Sequence, residues 1–424
     1  MFHWLKKHYH WIIVFVMMLQ TTVYGGLGNN FISIYIIPIT EDLGISRGDF
    51  SLAVSIRSVV VFIAMIFSGP IFQKFGIKKP IIGGLIAICL GYTLLSICDT
   101  PVTISLASVV IGLGEAFIGA TAASRVAKTW FHRHQGSIIG LITACTGLGG
   151  GVFSVVLSKI IEINGWRFSR LVSGASVFVT IVLAVLLLRE KPADIGLSPY
   201  AEGYIPKKKV HHHEDAHWAG YTTQQLLRKP TFYLAIITFL FSGVSLYAAF
   251  NIIAPYFQDQ GMSASDSAYL NGLMLIFLAL FKFACGSLSD KIGAKSVCVI
   301  CMVFSVISLW MLPIADTVVE ATIAVLLYSV SLPMLMVMIS LVTYPLFGYL
   351  SYNATLGIFQ AMPTLGSVIA VPMANAVYDT MGSYIPVFHG AGLLSAIALG
   401  MLLLLYVLTQ RDQKRFMQQE QAHQ

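Results

Sequence analysis

The sequence predicts an all-α membrane protein of twelve transmembrane helices, arranged as two pseudo-symmetric six-helix bundles. Three observations predict it: apolar runs that recur from end to end, a one-sided distribution of positive charge, and an internal repeat. Hydrophobic residues make up 57% of the 424 and charged residues 11%; a soluble domain is nearer a quarter charged. Mean hydropathy is +0.79. A bilayer core needs about 20 apolar residues per helical span. Backbone groups in lipid must be satisfied within their own segment, so runs of that length are helices. No alternating ten-residue strands suggest a barrel.

The spans, numbered 1 to 12, read as 11–37, 51–73, 80–98, 102–129, 136–161, 169–188, 231–257, 265–288, 296–314, 319–344, 352–378 and 384–409. The first begins at Trp11, after Lys6 and Lys7, and continues to Ile37 with no small-residue cleavage site. It therefore reads as a retained span and not as a signal peptide. Twelve spans put both termini on one side, and positive charge tests that count. The termini and alternate loops carry nineteen of the 26 Lys and Arg residues. The opposite face carries Arg47, Lys159, Arg167 and Arg170, while Arg57, Arg125 and Lys282 fall within spans. A missed span would scramble this asymmetry. It predicts a multi-pass protein of the plasma (inner) membrane with both termini cytoplasmic.

The domain reading follows: a first bundle over 1–188, a cytoplasmic linker over 189–230, and a second bundle over 231–424 ending in a short cytoplasmic tail. The linker holds Lys207, Lys208, Lys209, His211, His212 and His213. These read as a solvated segment near anionic headgroups, with metal binding as the alternative. The net charge of +7 has the same origin, so membrane lipids and no nucleic acid are implied. The six cysteines all fall in apolar runs. Cys298 and Cys301 have redox or metal spacing, but no His or further Cys is near, and they read as packing residues. No cofactor or metal is predicted. Enzyme signatures such as a nucleophile elbow, His-Glu-x-x-His or a phosphate loop are absent.

Shifting the sequence by 217 residues brings its halves into register over about fifty positions. Gly26 falls on Gly243, Pro38 on Pro255, Asp42 on Asp259, Gly44 on Gly261, Gly69 on Gly286, Lys74 on Lys291 and Gly76 on Gly293. Six spans later the chain points the same way, so the repeats are parallel. Such doubling is a transporter signature, with a solute site near the midplane between the halves.

Gly286-Ser-Leu-Ser-Asp290-Lys291-Ile-Gly293-Ala-Lys295 resembles the loop signature of the major facilitator superfamily. The stretch from Gly69 to Lys79 is its first-half copy, with Gln73 where the family usually has Asp. The glycine permits close helix packing, the acid faces a neighbouring helix N-terminus, and the cations hold the loop at the cytoplasmic surface. The resemblance implies that this loop helps hold the outward-facing state. It also implies a gating role for Asp290 and Lys291, and Gln73 removes the acid from the first-half latch. A second family signature, Arg-x-x-x-Gly-x-Gly on span 4, reads Ser108-Val-Val-Ile-Gly112-Leu-Gly114 and so lacks its Arg. Narrower motifs are similar to the monocarboxylate transporter and oxalate/formate antiporter branch: Thr129-Trp130-Phe131, Gly165-Trp166-Arg167, Pro192 to Pro199, and Tyr378 to Tyr384.

Charge within hydrocarbon needs a reason. Lys282 lies near the middle of span 8, where carboxylate-transporting relatives carry an Arg in Arg-x-x-x-Gly; here the pattern is Lys282-Phe-Ala-Cys-Gly286. The resemblance implies a carboxylate-reading position, and the alternative is an ion pair with Glu115. Span 11 lacks the second cation of the oxalate-transporting relatives, and one central cation suits one carboxylate. Arg57 in span 2 either snorkels or pairs, or serves a gate or substrate. Glu115 in span 4 either carries a proton or neutralises a cation. Arg125 reads as interfacial. Asn29, Asn30 and Tyr35 on span 1, with Tyr247 and Asn251 on span 7, sit in matching stretches, and Asn30 and Tyr247 are equivalent under the repeat. They read as solute-facing, with interhelical hydrogen bonding as the alternative. Gln360 and His389 are candidates of the same kind.

The expected function is secondary active transport of a small organic anion, a monocarboxylate in particular, by a monomer, with proton coupling or anion exchange. A carrier of a drug or zwitterion, and a sensor without turnover, are the alternatives.

Overall fold

The computed structural model describes residues 8–27, 32–45, 47–200, 220–348 and 350–422. Among the described residues, eleven helices are long and apolar enough to cross a membrane. The count differs from twelve because spans 5 and 6 are one helical stretch, Gln135–Leu187, broken only at Gly165 (φ 80°, ψ 166°). Glycine adopts that backbone conformation without a Cβ penalty. The stretch folds back there. Thr21 of span 1 bonds the Ile142 carbonyl of span 5 at 2.7 Å, and Gly25 abuts Thr146 further along. Tyr9, at the start of span 1, instead meets Leu187 at 2.7 Å, and Tyr35 meets Ser169 at 2.6 Å. Span 5 therefore runs with span 1, and span 6 against it.

The other spans are Tyr9–Leu27 with Ile32–Leu43, Arg47–Phe75, Lys78–Leu95, Pro101–Glu115 with Ala120–Trp130, Pro230–Phe250 with Ile253–Asp259, Ala264–Ile292, Ala294–Met311, Val318–Ser331 with Val337–Phe347, Tyr352–Met381 and Ile385–Ala422. Several are discontinuous where the sequence reads as unbroken. Span 4 breaks at Gly119 (φ 73°), which leaves Glu115 at the end of its first half. Span 10 breaks at Leu332–Leu335, where Pro333 cannot donate to the helical ladder.

The loops after spans 2 and 8 gather lysines at one end, the basic end. There Lys78 Nζ donates to Val185 O at 2.7 Å, and the Glu190 carboxylate accepts from the backbone N–H of Lys78 at 3.0 Å. At the opposite end Trp166 Nε1 donates to Asp42 at 3.0 Å, and Arg167 bridges Asp42 and Asp99 at 3.4 and 2.8 Å. These contacts give the Gly-Trp-Arg motif a structural purpose: it ties span 6 to the ends of spans 1 and 3.

Among the described residues, the two main helix crossings between the bundles both use glycines. Between spans 5 and 8, Gly136 packs on the Gly286 backbone, and Gly140 on Lys282 and Phe283. Between spans 2 and 11, Gly69 packs on Asn353 and Ala354, and Gly357 on Met65 and Ser68. Small residues let helix backbones approach closely, which is how helices associate in lipid. All of these crossings lie between the basic end and mid-depth. The paired glycines Gly69 and Gly286 are the repeat partners read from the sequence, and each serves the equivalent crossing.

Candidate functional site

Among the described residues, the buried side chains with a fixed charge are Arg57, Arg125, Arg170, Lys282 and Glu115. Four cations thus face one carboxylate. Isolated charge in a low-dielectric interior is costly, so the way each is compensated defines the candidate site.

Arg57 and Glu115 compensate each other. Arg57 Nε donates to Glu115 Oε2 at 3.0 Å, and Nη2 donates to Oε1. The fork geometry of guanidinium matches a carboxylate with two parallel bonds. The break in span 4 and the passage of Gly112 against the Arg57 backbone let the two helices come this close. The sequence offered Lys282 as an alternative partner for Glu115; the structure corrects this, because Lys282 projects from span 8 toward span 5.

Lys282 is 4% exposed. Its Nζ donates to Thr146 Oγ1 at 2.9 Å and reaches the Thr143 carbonyl at 3.5 Å. Both partners belong to the other bundle and both are neutral. Among the described residues no carboxylate stands within ion-pair distance of it.

Arg125 is a second correction. It reads as interfacial, yet it is buried. Its Nη2 donates to the Asn353 carbonyl of span 11 at 3.0 Å, and its guanidinium lies 4.1 Å from the Phe72 ring centre. Lys128, one turn on, sits 3.1 Å over the Tyr352 ring. Arg170 is the third correction. It reads as part of an exposed face, but helix resumes directly after Gly165, which places it one turn inside. Its guanidinium lies 3.4 Å over Tyr35 and 5.5 Å from Tyr92.

The remaining predicted residues divide. Tyr35 is fully buried inside the first bundle, bonded to Ser169, so it does not face the space between bundles. Tyr247 is half-buried beside Phe250, while Asn251 is exposed at the break in span 7. Gln360 packs just beyond the break in span 10, its Nε2 donating to the Met336 carbonyl and Ser340 Oγ, both at 2.8 Å. These bonds tie span 11 to the start of the second half of span 10, a packing contact inside the second bundle. His389 stacks on Trp310 at 5.0 Å. Asn29, Asn30 and the linker lysines and histidines lie outside the described residues. Sequence reasoning missed Tyr24 of span 1. It is half-buried, within electrostatic reach of Glu115 and Arg57, and also of Tyr247 in the second bundle. Its only sequence signal was a hydroxyl-bearing aromatic in an apolar run.

Asp290 meets the expectation for its loop. Its carboxylate accepts from the backbone N–H of Gly136 at 2.9 Å and of Ser137 at 2.8 Å, and from Ser137 Oγ at 2.7 Å. These groups open span 5 in the other bundle, where a negative charge is favoured. Lys291 is exposed. Gln73, the repeat partner of Asp290, is also exposed and makes no such contact among the described residues; Arg125 and Lys128 bind span 11 in its place. Replacing Asp290 by Asn should therefore loosen the span 5–8 crossing alone. A cysteine in place of Ser289, buried at that crossing, should become reactive to a water-soluble maleimide in that variant, while one in place of Ser68, buried at the span 2–11 crossing, should stay protected.

Two parallel repeats, joined by glycine crossings and holding compensated and uncompensated charge at mid-depth, define a polytopic membrane carrier. The chain belongs to the Major Facilitator Superfamily, whose sequence pattern matches residues 11–355. It is 23% identical over 254 residues to the MFS-type transporter pytF of Aspergillus terreus, covering 59% of this chain and 78% of that one. It is 23% identical over 293 residues to the oxalate:formate antiporter of Oxalobacter formigenes, and 22% over 314 to monocarboxylate transporter 12 of Xenopus laevis. Each of those two matches covers 67% of this chain and 64% of the relative, just under two thirds of its length. Among solved structures, the proton:xylose symporter XylE superposes with a TM-score of 0.72 at 12% identity, covering 94% of this chain and 96% of that one. The fucose:proton symporter FucP of E. coli superposes at 0.64 and 16% identity, covering 94% and 98%.

Proposed function

We propose that this transporter carries a small organic anion, a monocarboxylate in particular, by alternating access. The observation that carries the reading is Lys282, a buried cation at mid-depth whose partners are neutral. An anionic solute would supply the missing countercharge. The excess of buried cations over carboxylates points the same way, and the named similarity to an oxalate:formate antiporter and a monocarboxylate transporter is consistent with it. The two bodies that rock are the bundles over 1–188 and 231–424, tethered by 189–230. With the basic end cytoplasmic, the glycine crossings close the cytoplasmic side, and the conformation is outward-facing. Substrate entering from outside displaces Thr146 and Thr143 from Lys282, which weakens the span 5–8 crossing and opens the inner side. The driving step is proton coupling or exchange for a second anion.

Purified protein in liposomes tests this. Labelled monocarboxylates should be taken up saturably, with a rate that responds to a pH gradient or to anion loaded inside. Uptake of neutral or cationic compounds with none of acids would sink the reading in favour of a drug or zwitterion carrier. Binding without flux would favour a sensor.

A further inference from the structure

The transport reading uses Lys282 and leaves Arg170 unexplained. Arg170 is 5% exposed and lies in the first bundle. No carboxylate pairs with it among the described residues, and its Nε has no hydrogen-bond partner there. Tyr35 and Tyr92 lie beside the guanidinium, but aromatic faces offset only part of a buried charge. Arg57 adds a second cation within electrostatic reach. Glu115 answers Arg57 through Nε and Nη2, so the group retains one net positive charge.

Arg170 and Arg57 both line a small cavity of about 20 Å³, together with Ser108, Tyr92, Phe50 and Ile111. A space of about 10–15 Å³ holds one water-sized particle. The cavity therefore suits one small particle and excludes an organic acid. Water would fill it but leave the charge. Tyr92 Oη already donates to the Leu27 carbonyl at 2.5 Å, so the donors left for an occupant are guanidinium N–H groups and the Ser108 hydroxyl. Every one of them favours an acceptor, and an anionic one.

We propose that this cavity is a resident site for a monatomic anion, chloride in solution, held by Arg170, Arg57 and Ser108. It is separate from the solute position at Lys282 and independent of the transport reading. The bound anion neutralises Arg170 and stabilises the packing of spans 1, 2, 3, 4 and 6 around it, as any ligand specific to the folded state does.

The full-length protein, purified in detergent, is unfolded thermally in sodium chloride, sodium bromide and sodium gluconate at equal ionic strength. Chloride and bromide should raise Tm saturably by a few degrees, and gluconate, too large for the cavity, should not. The shift should vanish in Arg170→Gln and shrink in Ser108→Ala. It should persist in Lys282→Ala, which separates this site from the transport site. Crystals grown in bromide should show an anomalous peak beside Arg170. Equal Tm in chloride and gluconate would overturn the proposal, as would a halide shift retained in both cavity variants or a cavity with no anomalous signal. If Arg170→Gln does not fold, Ser108→Ala and the bromide signal decide alone.

Discussion

Replacing Lys282 by Met is expected to abolish uptake of the organic anion while leaving the protein at least as stable as before. The two halves of that expectation come from the same geometry. Lys282 is buried, and among the described residues its amine is answered by the Thr146 hydroxyl and the Thr143 carbonyl, both neutral. Two neutral acceptors do not repay the desolvation of an ammonium. Met fills nearly the same volume without a charge, so Tm should hold or rise. Transport loses the opposite term. Truncating one partner of a buried charge pair costs about 2–5 kcal/mol, and the lower figure already corresponds to about 30-fold. The loss in kcat/KM should therefore be about 30-fold or more. Lys282→Arg keeps the charge but exchanges a compact point charge for a planar fork, and should retain part of the activity with an altered preference among acids. The measurement is initial uptake in liposomes beside thermal unfolding of the same preparations. Uptake at the unsubstituted rate in Lys282→Met would remove Lys282 from the solute pathway. A large fall in Tm would recast it as a structural residue.

Much of the scaffold was legible because lipid imposes simple rules. Span length, the loop lysines and the 217-residue repeat each follow from one-dimensional patterns, and the repeat located both glycine crossings through Gly69 and Gly286. The charged interior was less legible. A buried charge announces that a partner is needed but not which helix supplies it. Glu115 could answer Arg57 or Lys282 from its position in the sequence. The break after Glu115 and the close approach at Gly112 decide for Arg57, and neither is visible as a spacing. A boundary hides Arg170: with span 6 starting at 169 it sits at the outer mouth of the span, whereas helix resuming after Gly165 carries it a turn further in, onto Tyr35. Polar groups in apolar helices, such as Gln360 and Tyr35, read as solute-facing. Both instead satisfy partners inside their own bundle. Tyr24 carries no such signal, since aromatics in such helices are mostly packing.

The Arg57–Glu115 pair leads to the second large effect. Glu115→Gln leaves a buried guanidinium without its countercharge, and breaking a buried pair in this way costs about 3–5 kcal/mol. Glu115→Gln and Arg57→Met should each lower Tm sharply and reduce the yield of folded protein. The double variant Arg57→Met with Glu115→Leu removes both charges together, and apolar replacement of a buried pair is often neutral or stabilising. Its Tm should return to near the starting value, a non-additive result that thermal unfolding of the four proteins reads as a double-mutant cycle. The double variant also separates the two roles open to Glu115. If the carboxylate only balances Arg57, uptake driven by an anion gradient and uptake driven by a pH gradient should survive to the same extent. If Glu115 carries the coupled proton, exchange should survive while the response to a pH gradient disappears. Tyr24, half-buried between this pair and Tyr247, is the hydroxyl through which such a proton would reach the second bundle, so Tyr24→Phe should copy the loss of pH response only in the second case. A double variant as unstable as either single one would show that the two charges do not depend on each other, and the pairing would lose its claim to organise spans 2 and 4.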